Sequence, residues 1–441
     1  MRQNQHISAS AISSFPSLSH QERVSFFAHA EECPACAATF LETWQLRKSP
    51  APTPRISNFS AVLDRVVRNE AALLREREQA VELQRELLQH PNARQQTLVM
   101  NSRRFWTRGL CEALLDTSKN AVYENPNTAV HLAELSQEIA TRLDPESYGA
   151  TLHHDLIART WLALAEALWA SSDLRRADEA LSEAERELEC GTGDPLEMAK
   201  LAYLRGGLRS SQRRFAESIT NYDKAIAIYR RMEDRHLQAK GLISKGIALS
   251  KAGDPEASIR LQRQALEMVD GQREPRSLLA AHHNLLVDLT AAGRVTEALE
   301  QLGRVRALHS KNGEAVNQLR LLWIEGQLLR QQGDREAAEH ALLQVKDAFS
   351  KLEVPYDWAL ASLELATLYA EQGRTAEIKQ LAVEMIQIFQ ALEIQRETIA
   401  ALMLFRQAAE AETATLALIQ HIAGFLKRAE HDPALRFSAP E

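Results

Sequence analysis

The chain has 441 residues, of which 45% are hydrophobic and 25% are charged, and its formal charge at pH 7 is −7. This length exceeds what one small core organises, so it predicts either two or three domains or an array of repeats. The composition favours a folded, helix-rich protein over a disordered one. The net negative charge gives no general electrostatic reason to bind nucleic acid.

The cysteine content and the hydropathy pattern indicate the compartment. Four cysteines are too few and too unevenly spaced for a disulfide framework in a chain of this size, which favours a reducing environment. The amino terminus lacks the uninterrupted apolar core of a secretory signal, and no window reaches the ~18 apolar residues that a membrane helix needs. We therefore expect a soluble, cytoplasmic protein with no membrane partner.

The first local pattern with distinct chemistry is formed by His29, Cys33 and Cys36. Residues at these spacings share one helical face, and imidazole and thiolate are preferred ligands of zinc. We predict a structural Zn²⁺ site whose fourth ligand comes from elsewhere, with His6 as the candidate and His20 as its rival. The alternative is packing, in which two buried cysteines act as small apolar residues and the histidine lies at the surface.

The residues around this pattern resemble those of a known protein family. The stretch QHISASAISSFPSLSHQERVSFFAHAEECPACAATFLE, from residue 5 onward, resembles the zinc-containing anti-sigma domain, in which an upstream His or Cys precedes a helix ending in H-x3-C-x2-C. The resemblance implies that residues 1–47 form a small helical module around the metal. It also implies a further helix, beyond a linker, that helps to enclose a sigma factor. Members without metal occur, so the motif alone does not establish zinc.

A short linker and long helices follow this module. Residues 48–58 contain three prolines at alternate positions, which bias the chain toward a stiff polyproline conformation and predict a domain boundary. Residues 59–124 are predicted to form long connecting helices, the first of which ends near Gln89, where His90-Pro91 follows. The apolar stripe of that first helix can pack back on the rest of the chain or bind a partner, and the sequence leaves both open.

From about residue 150 the sequence repeats with a period of 40 residues. The repeat is marked by a turn position at intervals of 40, 41, 40, 40 and 40 residues. These markers are Ser172, Gln212, Gly253, Gly293, Gly333 and Gly373. Each unit is predicted to form a helix, a short turn and a second helix. A small residue lies near the start of the second helix, such as Ala177, Ala216, Ala257, Ala298 or Ala337. Because one helix pair cannot cover its own apolar stripe, we predict that the pairs stack into a solenoid.

The segments ALSKAGDPEASIRLQRQAL and LTAAGRVTEALEQL resemble the tetratricopeptide repeat, in which helix A, a turn and helix B recur about every 34 residues. The longer period here is similar to the long-repeat variants of bacterial regulators and kinesin light chains. The predicted fold is therefore an all-α solenoid over residues 125–430, with six clear repeats and degenerate terminal repeats, followed by a tail at 431–441. The resemblance implies a right-handed superhelix whose concave groove, lined by the first helices, binds a peptide or a protein.

One column of that groove is predicted nine residues before each turn marker. It contains Ala163, Tyr203, Ser244, Asn284, Ile324 and Glu364. We select Tyr203, Ser244, Asn284 and Glu364 as candidate partner-binding residues. Only Asn284 carries the asparagine with which family members hold a peptide backbone, which argues against the family's clamp for carboxyl-terminal carboxylates. The alternative, that Tyr203 and Asn284 merely lie on a solvated face, stays open.

No enzyme signature is found in the sequence. There is no phosphate-binding loop, nucleophile elbow or metallohydrolase pattern. His153-His154-Asp155 and His282-His283 lie in periodic helices, which favours packing, and Cys111 and Cys190 are also read as packing residues.

Three functions are compatible with these features. We predict a non-enzymatic bacterial regulator whose zinc module holds a sigma factor or another regulator and whose solenoid binds a protein or peptide. The second reading is a structural adaptor in which the zinc module only caps the solenoid. The third is nucleic-acid binding, for which Arg103, Arg104 and Arg108 offer thin support.

Overall fold

The computed structural model describes residues 29, 33–43, 59–272, 274–312, 315–391, 396–429 and 435–440. All regular structure within these ranges is helical, with one short 3₁₀ helix at Arg103–Phe105 among the α-helices. The α-helices are α1 (Pro34–Thr43), α2 (Phe59–Leu88), α3 (Asn92–Asn101), α4 (Arg108–Ala121), α5 (Pro126–Ala140), α6 (Pro145–Tyr148), α7 (Ala150–Ala170), α8 (Leu174–Cys190), α9 (Pro195–Ser211), α10 (Phe215–Arg231), α11 (Arg235–Lys251), α12 (Pro255–Leu266), α13 (Pro275–Ala291), α14 (Val295–Asn312), α15 (Ala315–Gln332), α16 (Arg335–Lys351), α17 (Pro355–Glu371), α18 (Thr375–Ala391), α19 (Arg396–Glu410) and α20 (Leu416–Ala429).

The turn inside each of the six helix pairs from α7 to α18 is made by one residue in the left-handed region. These residues are Ser172, Arg213, Gly253, Gly293, Gly333 and Gly373, with φ between 61° and 96°. In the second unit the left-handed residue is therefore Arg213 and not the predicted Gln212, whose φ is −75° because it is the C-cap of α9. The turn of that unit has no glycine, so the sequence does not mark which residue takes the left-handed conformation that terminates the helix.

A small buried residue follows the first five of these turns at the fifth position and lets the two helices of a pair approach closely. The positions are Ala177, Ser218, Ser258, Ala298 and Ala338, each no more than 1% exposed. After Gly373 the fifth position is the larger Ile378, which is also buried. The sequence prediction named the right residue in two units, Ala177 and Ala298. In the other three it named Ala216, Ala257 and Ala337, which are exposed or half-buried and lie one residue or more before the buried position.

The helices of the array are arranged in two layers. From α7 to α20 each helix contacts the next along the chain, which joins the pairs through a continuous core. The first helices of successive pairs, from α7 through α9, α11, α13 and α15 to α17, also contact one another. Among the described residues, successive second helices make no contacts of comparable extent. First helices that touch while second helices diverge place the first helices on the inner side of a curve.

The last pair departs from this pattern. Helix α20, the second helix of the pair, contacts α17 of the preceding pair more extensively than it contacts its own partner α19. Its buried residues Ile419, Ile422 and Phe425 join the carboxyl-terminal core. The ring of Phe437, in the segment that follows, stacks edge-on against Phe425 with their centroids 5.0 Å apart. The carboxyl-terminal helix therefore covers one side of a first helix.

The amino-terminal half of the array is closed by α2, which packs against α4. The two helices approach so closely that a Cβ at Gly109 would lie 2.5 Å from the carbonyl of Glu76. Leu83 and Leu87 are buried in the core that α2 shares with α4, so this part of the apolar stripe packs on the array itself. No helix in the described ranges is both long enough and apolar enough to cross a membrane.

Candidate functional site

The predicted metal ligands His29, Cys33 and Cys36 lie together in the structure. Their ligand atoms, one ring nitrogen and two sulfurs, all lie within 4.8 Å of one another. Helix α1 begins at Pro34, between the two cysteines, because proline suits the first turn of a helix. Cys36 is buried, with 2% of its surface exposed, whereas His29 and Cys33 are half-buried.

These residues suit a zinc ion in both chemistry and spacing. Ligand atoms around a tetrahedral zinc lie roughly 3.3–3.8 Å apart, given Zn–S bonds of about 2.3 Å and Zn–N bonds of about 2.0 Å. The observed cluster is compatible with that spacing. The His29 Nε2 atom is buried and has no hydrogen-bond partner among the described residues, as expected of a nitrogen whose partner is a metal. Both His6 and His20 lie outside the described residues, so the fourth ligand stays a prediction.

The predicted inner column lies along the layer of first helices. Three of its members, Ser244, Asn284 and Glu364, are half-buried, while Ala163 and Ile324 are buried. The hydroxyl oxygens of Tyr203 and Ser244 are 2.9 Å apart, and Gln327 Nε2 donates to Glu364 Oε1 over 2.8 Å. The column is therefore a partly accessible surface whose neighbouring side chains already contact one another.

Tyr203 lies one residue before the position in its unit that is equivalent to the other members of this column. Because the turn residue of its unit is Arg213, the position nine residues earlier is Leu204, which is buried with 3% of its surface exposed. Tyr203 precedes Leu204 and reaches Ser244 through its long side chain. Burial raises the pKa of the Tyr203 phenol, so it stays protonated at neutral pH.

Next to Ser244, the inner face carries a charged group of residues that the sequence did not single out. The Glu274 carboxylate lies 3.4 Å from Lys240 Nζ and 3.3 Å from His236 Nε2. Burial opposes ionisation of Glu274, but a hydrogen bond from Ser277 and the positive charge of Lys240 outweigh it and bring its pKa to about 2. Lys240 lies one helical turn before Ser244, so extending the column by that period would have found it.

A contact between distant residues shows how far the inner face curves. The guanidinium of Arg276, at the start of α13, lies 5.6 Å from the ring centre of Tyr123, which follows α4. Between them the inner face carries Lys200 Nζ, 3.7 Å from Glu166 Oε2. Helices α7, α9 and α11 therefore form a concave surface whose two edges approach each other.

Comparison with known proteins agrees with this architecture. Residues 197–270 match the model of the tetratricopeptide repeat family. No curated protein matches the sequence. The fold is that of a tetratricopeptide-repeat solenoid. The all-α solenoid predicted from the sequence is confirmed.

Solved structures with this solenoid include bacterial regulators. A Rap protein complexed with Competence and Sporulation Factor has a TM-score of 0.54 at 16% identity, covering 73% of this chain and 87% of that one. The apo quorum sensor NprR from B. thuringiensis has a TM-score of 0.53 at 17% identity, covering 70% and 84%. Aspartyl phosphate phosphatase F from Bacillus subtilis has a TM-score of 0.50 at 12% identity, covering 88% and 96%. At these identities the likeness is one of fold.

The histidine and aspartate pairs noted in the sequence take part in packing within the solenoid. His153 Nε2 lies 2.8 Å from the carbonyl oxygen of Ala140, and His154 Nδ1 lies 2.7 Å from the Glu187 carboxylate. Asp155 is buried and accepts hydrogen bonds from the backbone N–H and the hydroxyl of Thr192, which holds the turn between α8 and α9. The three consecutive residues His153, His154 and Asp155 thus contact different partners and do not form one site.

The structure also bears on the prediction that Cys111 and Cys190 are packing residues. Cys111 is buried and its thiol donates to the carbonyl of Ser136, as expected of a packing residue, but Cys190 is exposed at the end of α8. The prediction of Cys190 as a packing residue was wrong because Cys190 lies on the solvent-exposed side of the last turn of α8, opposite the buried Leu188.

The proposed basic cluster is not a free cationic surface. Arg104 is paired with Glu86 and Arg108 with Glu112, at 2.6 and 2.8 Å. Carboxylates next to these guanidinium groups would repel a phosphate backbone, which argues further against duplex binding.

Proposed function

We propose that this protein is a bacterial regulator that acts by binding and not by catalysis. The inner face of the solenoid holds a peptide or a segment of a partner protein. The amino-terminal module, with zinc held by His29, Cys33 and Cys36 and by His6 as fourth ligand, holds a sigma factor or another regulator inactive. Occupancy of the solenoid changes that hold.

The observation that carries the binding part of this proposal is the concave polar surface between Tyr123 and Arg276. It offers hydroxyls at Tyr203 and Ser244, and the charged group at Lys240 is one turn away. Such a surface can pair with the backbone and side chains of an extended segment. The Rap protein with the same fold was crystallised in complex with Competence and Sporulation Factor, which supports a bound protein or peptide as the ligand here.

The zinc part of the proposal rests on the cluster of three ligand atoms. Four protein ligands would complete a structural site with no open position, so the metal would supply folding energy to a module too small for a large core. His29 Nε2, Cys33 Sγ and Cys36 Sγ would hold the ion, and proline at position 34 sets the start of the helix that carries Cys36.

Affinity purification from native cells tests the proposal. We expect the full-length protein to recover a sigma factor or another transcription regulator, and the double variant His29→Ala, Cys33→Ser to lose it. Cys190→Ser is the matched control, since this exposed cysteine lies outside the metal cluster. A second variant, Ser244→Arg, places a bulky cation on the inner face and should remove the solenoid ligand while leaving the amino-terminal partner bound.

An adaptor role is favoured by one further observation. Because α2 packs tightly on α4 at Gly109, the amino-terminal helices are continuous with the array and can serve as its cap. If purification returns only partners that Ser244→Arg removes, and none that depends on Cys33, the protein is an adaptor and the sigma-factor proposal is wrong.

A further inference from the structure

A cavity of about 240 Å³ lies where the carboxyl-terminal helix covers the inner layer. Trp323 and Arg330 of α15 form one wall, and Glu364 of α17 forms another. The third wall belongs to α20, with Gln420 and Lys427 exposed at its rim. The cavity exists because α20 returns to α17 and does not continue the stacking direction of the earlier pairs.

Two donors at this cavity have no acceptor within the described part of the chain. The indole Nε1 of Trp323 and the Nε of Arg330 are both buried, and neither has a hydrogen-bond partner among the described residues. Arg330 is held in place by a separate contact, since its Nη1 donates to Glu371 Oε1 over 2.6 Å. Buried N–H groups are nearly always paired in folded proteins, so two unpaired ones lining the same cavity point to an acceptor that the described part of the chain does not supply.

Other tryptophans in the same chain show the usual outcome. The Nε1 of Trp169 donates to Ser211 Oγ over 2.8 Å, and the Nε1 of Trp106 donates to the carbonyl of Val99 over 2.6 Å. The Trp323 ring is also fixed, because it stacks edge-on against Phe349 with centroids 5.8 Å apart. Its unpaired N–H is therefore a feature of this cavity and not of the tryptophans in general.

The charges around the cavity narrow the class of ligand. Arg330 and Lys427 are cationic, and the indole N–H is a donor, so this part of the lining favours an anionic acceptor. Glu364 is the acidic group of the lining, and one of its oxygens accepts from Gln327. A bare anion would be repelled by that carboxylate, whereas a ligand that also carries N–H donors would satisfy both sides. The cavity volume is below the roughly 300–1,000 Å³ of pockets for drug-sized ligands, so the ligand, or the part of it that enters the cavity, is smaller than that.

We propose that this cavity binds the carboxylate of an amino-acid-sized ligand, with Trp323, Arg330 and Lys427 as its donors and Glu364 facing the ligand's N–H groups. Such a group can come from a free amino acid or from the terminal residue of a peptide. The site goes beyond the proposed binding near Tyr203 and Ser244, because its lining belongs to α15, α17 and α20. Of the residues predicted to bind a partner in the groove, Glu364 lines this cavity.

The indole N–H signals of the full-length ¹⁵N-labelled protein test this site. The chain has six tryptophans, and Trp323→Phe identifies the signal of interest by its loss. The probes are free glutamate, free alanine, and the tripeptide Ala-Ala-Ala with either a free or an amidated carboxyl terminus. We expect a saturable shift of the Trp323 signal with a free carboxylate and none with the amidated tripeptide, while the signals of Trp106 and Trp169 stay in place.

Variants separate specific binding from general effects. Arg330→Gln and the exposed-rim variant Lys427→Met should each weaken the binding of the effective probe at least tenfold. The control is Arg263→Gln, which removes an exposed arginine of α12 that is paired with Glu297 of α14. It should leave binding unchanged. Lys427→Met keeps the test decisive if Arg330→Gln does not fold.

The outcomes are distinct. A shift with the free amino acids identifies them as the source of the carboxylate, and a shift with the tripeptide alone identifies a peptide terminus. The proposal is wrong if no probe shifts the Trp323 signal at tens of millimolar, if the amidated tripeptide shifts it equally, or if Lys427→Met binds as the parent does. Ser244→Arg should leave the signal unaffected, so failure of this site and failure of inner-face binding give different results.

Discussion

The hydroxyl oxygens of Tyr203 and Ser244 lie 2.9 Å apart and link the inner faces of α9 and α11. The two residues are 41 positions apart in the sequence, one position more than the repeat period, because the turn between α9 and α10 has its left-handed residue at Arg213. The Tyr203 ring also packs edge-on against Tyr222, with ring centres 5.6 Å apart. The candidate ligand surface is thus held in shape by the core beneath it.

Removing this hydroxyl pair should weaken the fold slightly. We expect Tyr203→Phe and Ser244→Ala each to lower the free energy of unfolding by about 0.5–1.5 kcal/mol, the usual contribution of one hydrogen bond. In a double-mutant cycle measured by urea unfolding, the two effects should not add, because each variant removes the same bond. The control is Ser182→Ala on the exposed face of α8. Additive losses for the pair would show that the contact does not form in solution.

Purified protein should contain zinc in nearly equal molar amount, measured by elemental analysis. Cys33→Ser should lose most of it, because a hydroxyl is a poor replacement for a thiolate ligand. Cys190→Ser should retain the metal, since Cys190 is exposed and distant in sequence from the cluster. A well-folded parent protein that carries no metal would refute the zinc assignment and favour the packing alternative for the cysteines.

Gly109→Ala should destabilise the joint between α2 and α4. The added methyl group would lie 2.5 Å from backbone atoms of Glu76, which cannot move aside as a flexible side chain can. We expect a loss of about 1–3 kcal/mol, as for overpacking in a core. Gly303→Ala in α14 is the control, because nothing lies within 4 Å of its added Cβ, and it should be neutral or stabilising by up to about 1 kcal/mol. Thermal unfolding of the two variants measures the difference.

The stability contributed by Glu274 should depend on pH in one direction. Its folded pKa of about 2 lies below the ordinary value of 4.5, so its contribution is present above about pH 4.5 and is lost as the pH falls toward 2. The difference in unfolding midpoint between the parent and Glu274→Gln should therefore shrink over that range. The side chain is 38% exposed, so solvent screening keeps the effect small. A difference that grows on acidification would contradict the predicted interactions with Ser277 and Lys240.

The local rules of helix pairing allowed most of the array to be predicted, and their failures have two causes. Where glycine marks the turn, as at Gly253 and Gly293, the predicted and observed left-handed residues agree. Where glycine is absent, the prediction agreed at Ser172 but was displaced by one residue in the next unit, from Arg213 to Gln212. That shift placed Tyr203 in the column instead of Leu204. The misplaced residues Ala257 and Ala337 have a different cause, because their turns at Gly253 and Gly333 were predicted correctly. Each is followed by a second small residue, Ser258 or Ala338, and only the packing decides which of the two is buried.

The sequence by itself determined the period of the helix pairs and the grouping of His29, Cys33 and Cys36. The metal pattern depends on spacing within about two helical turns, and the period depends on a turn that recurs at regular intervals along the chain, so the sequence records both directly. Only the tertiary structure decided that Arg276 reaches Tyr123. It also decided that α20 returns to α17 and that Trp323 has no acceptor among the described residues. These contacts depend on the total rotation that accumulates over several stacked helix pairs. Each pair adds a small rotation, and the sequence of one repeat does not specify the total.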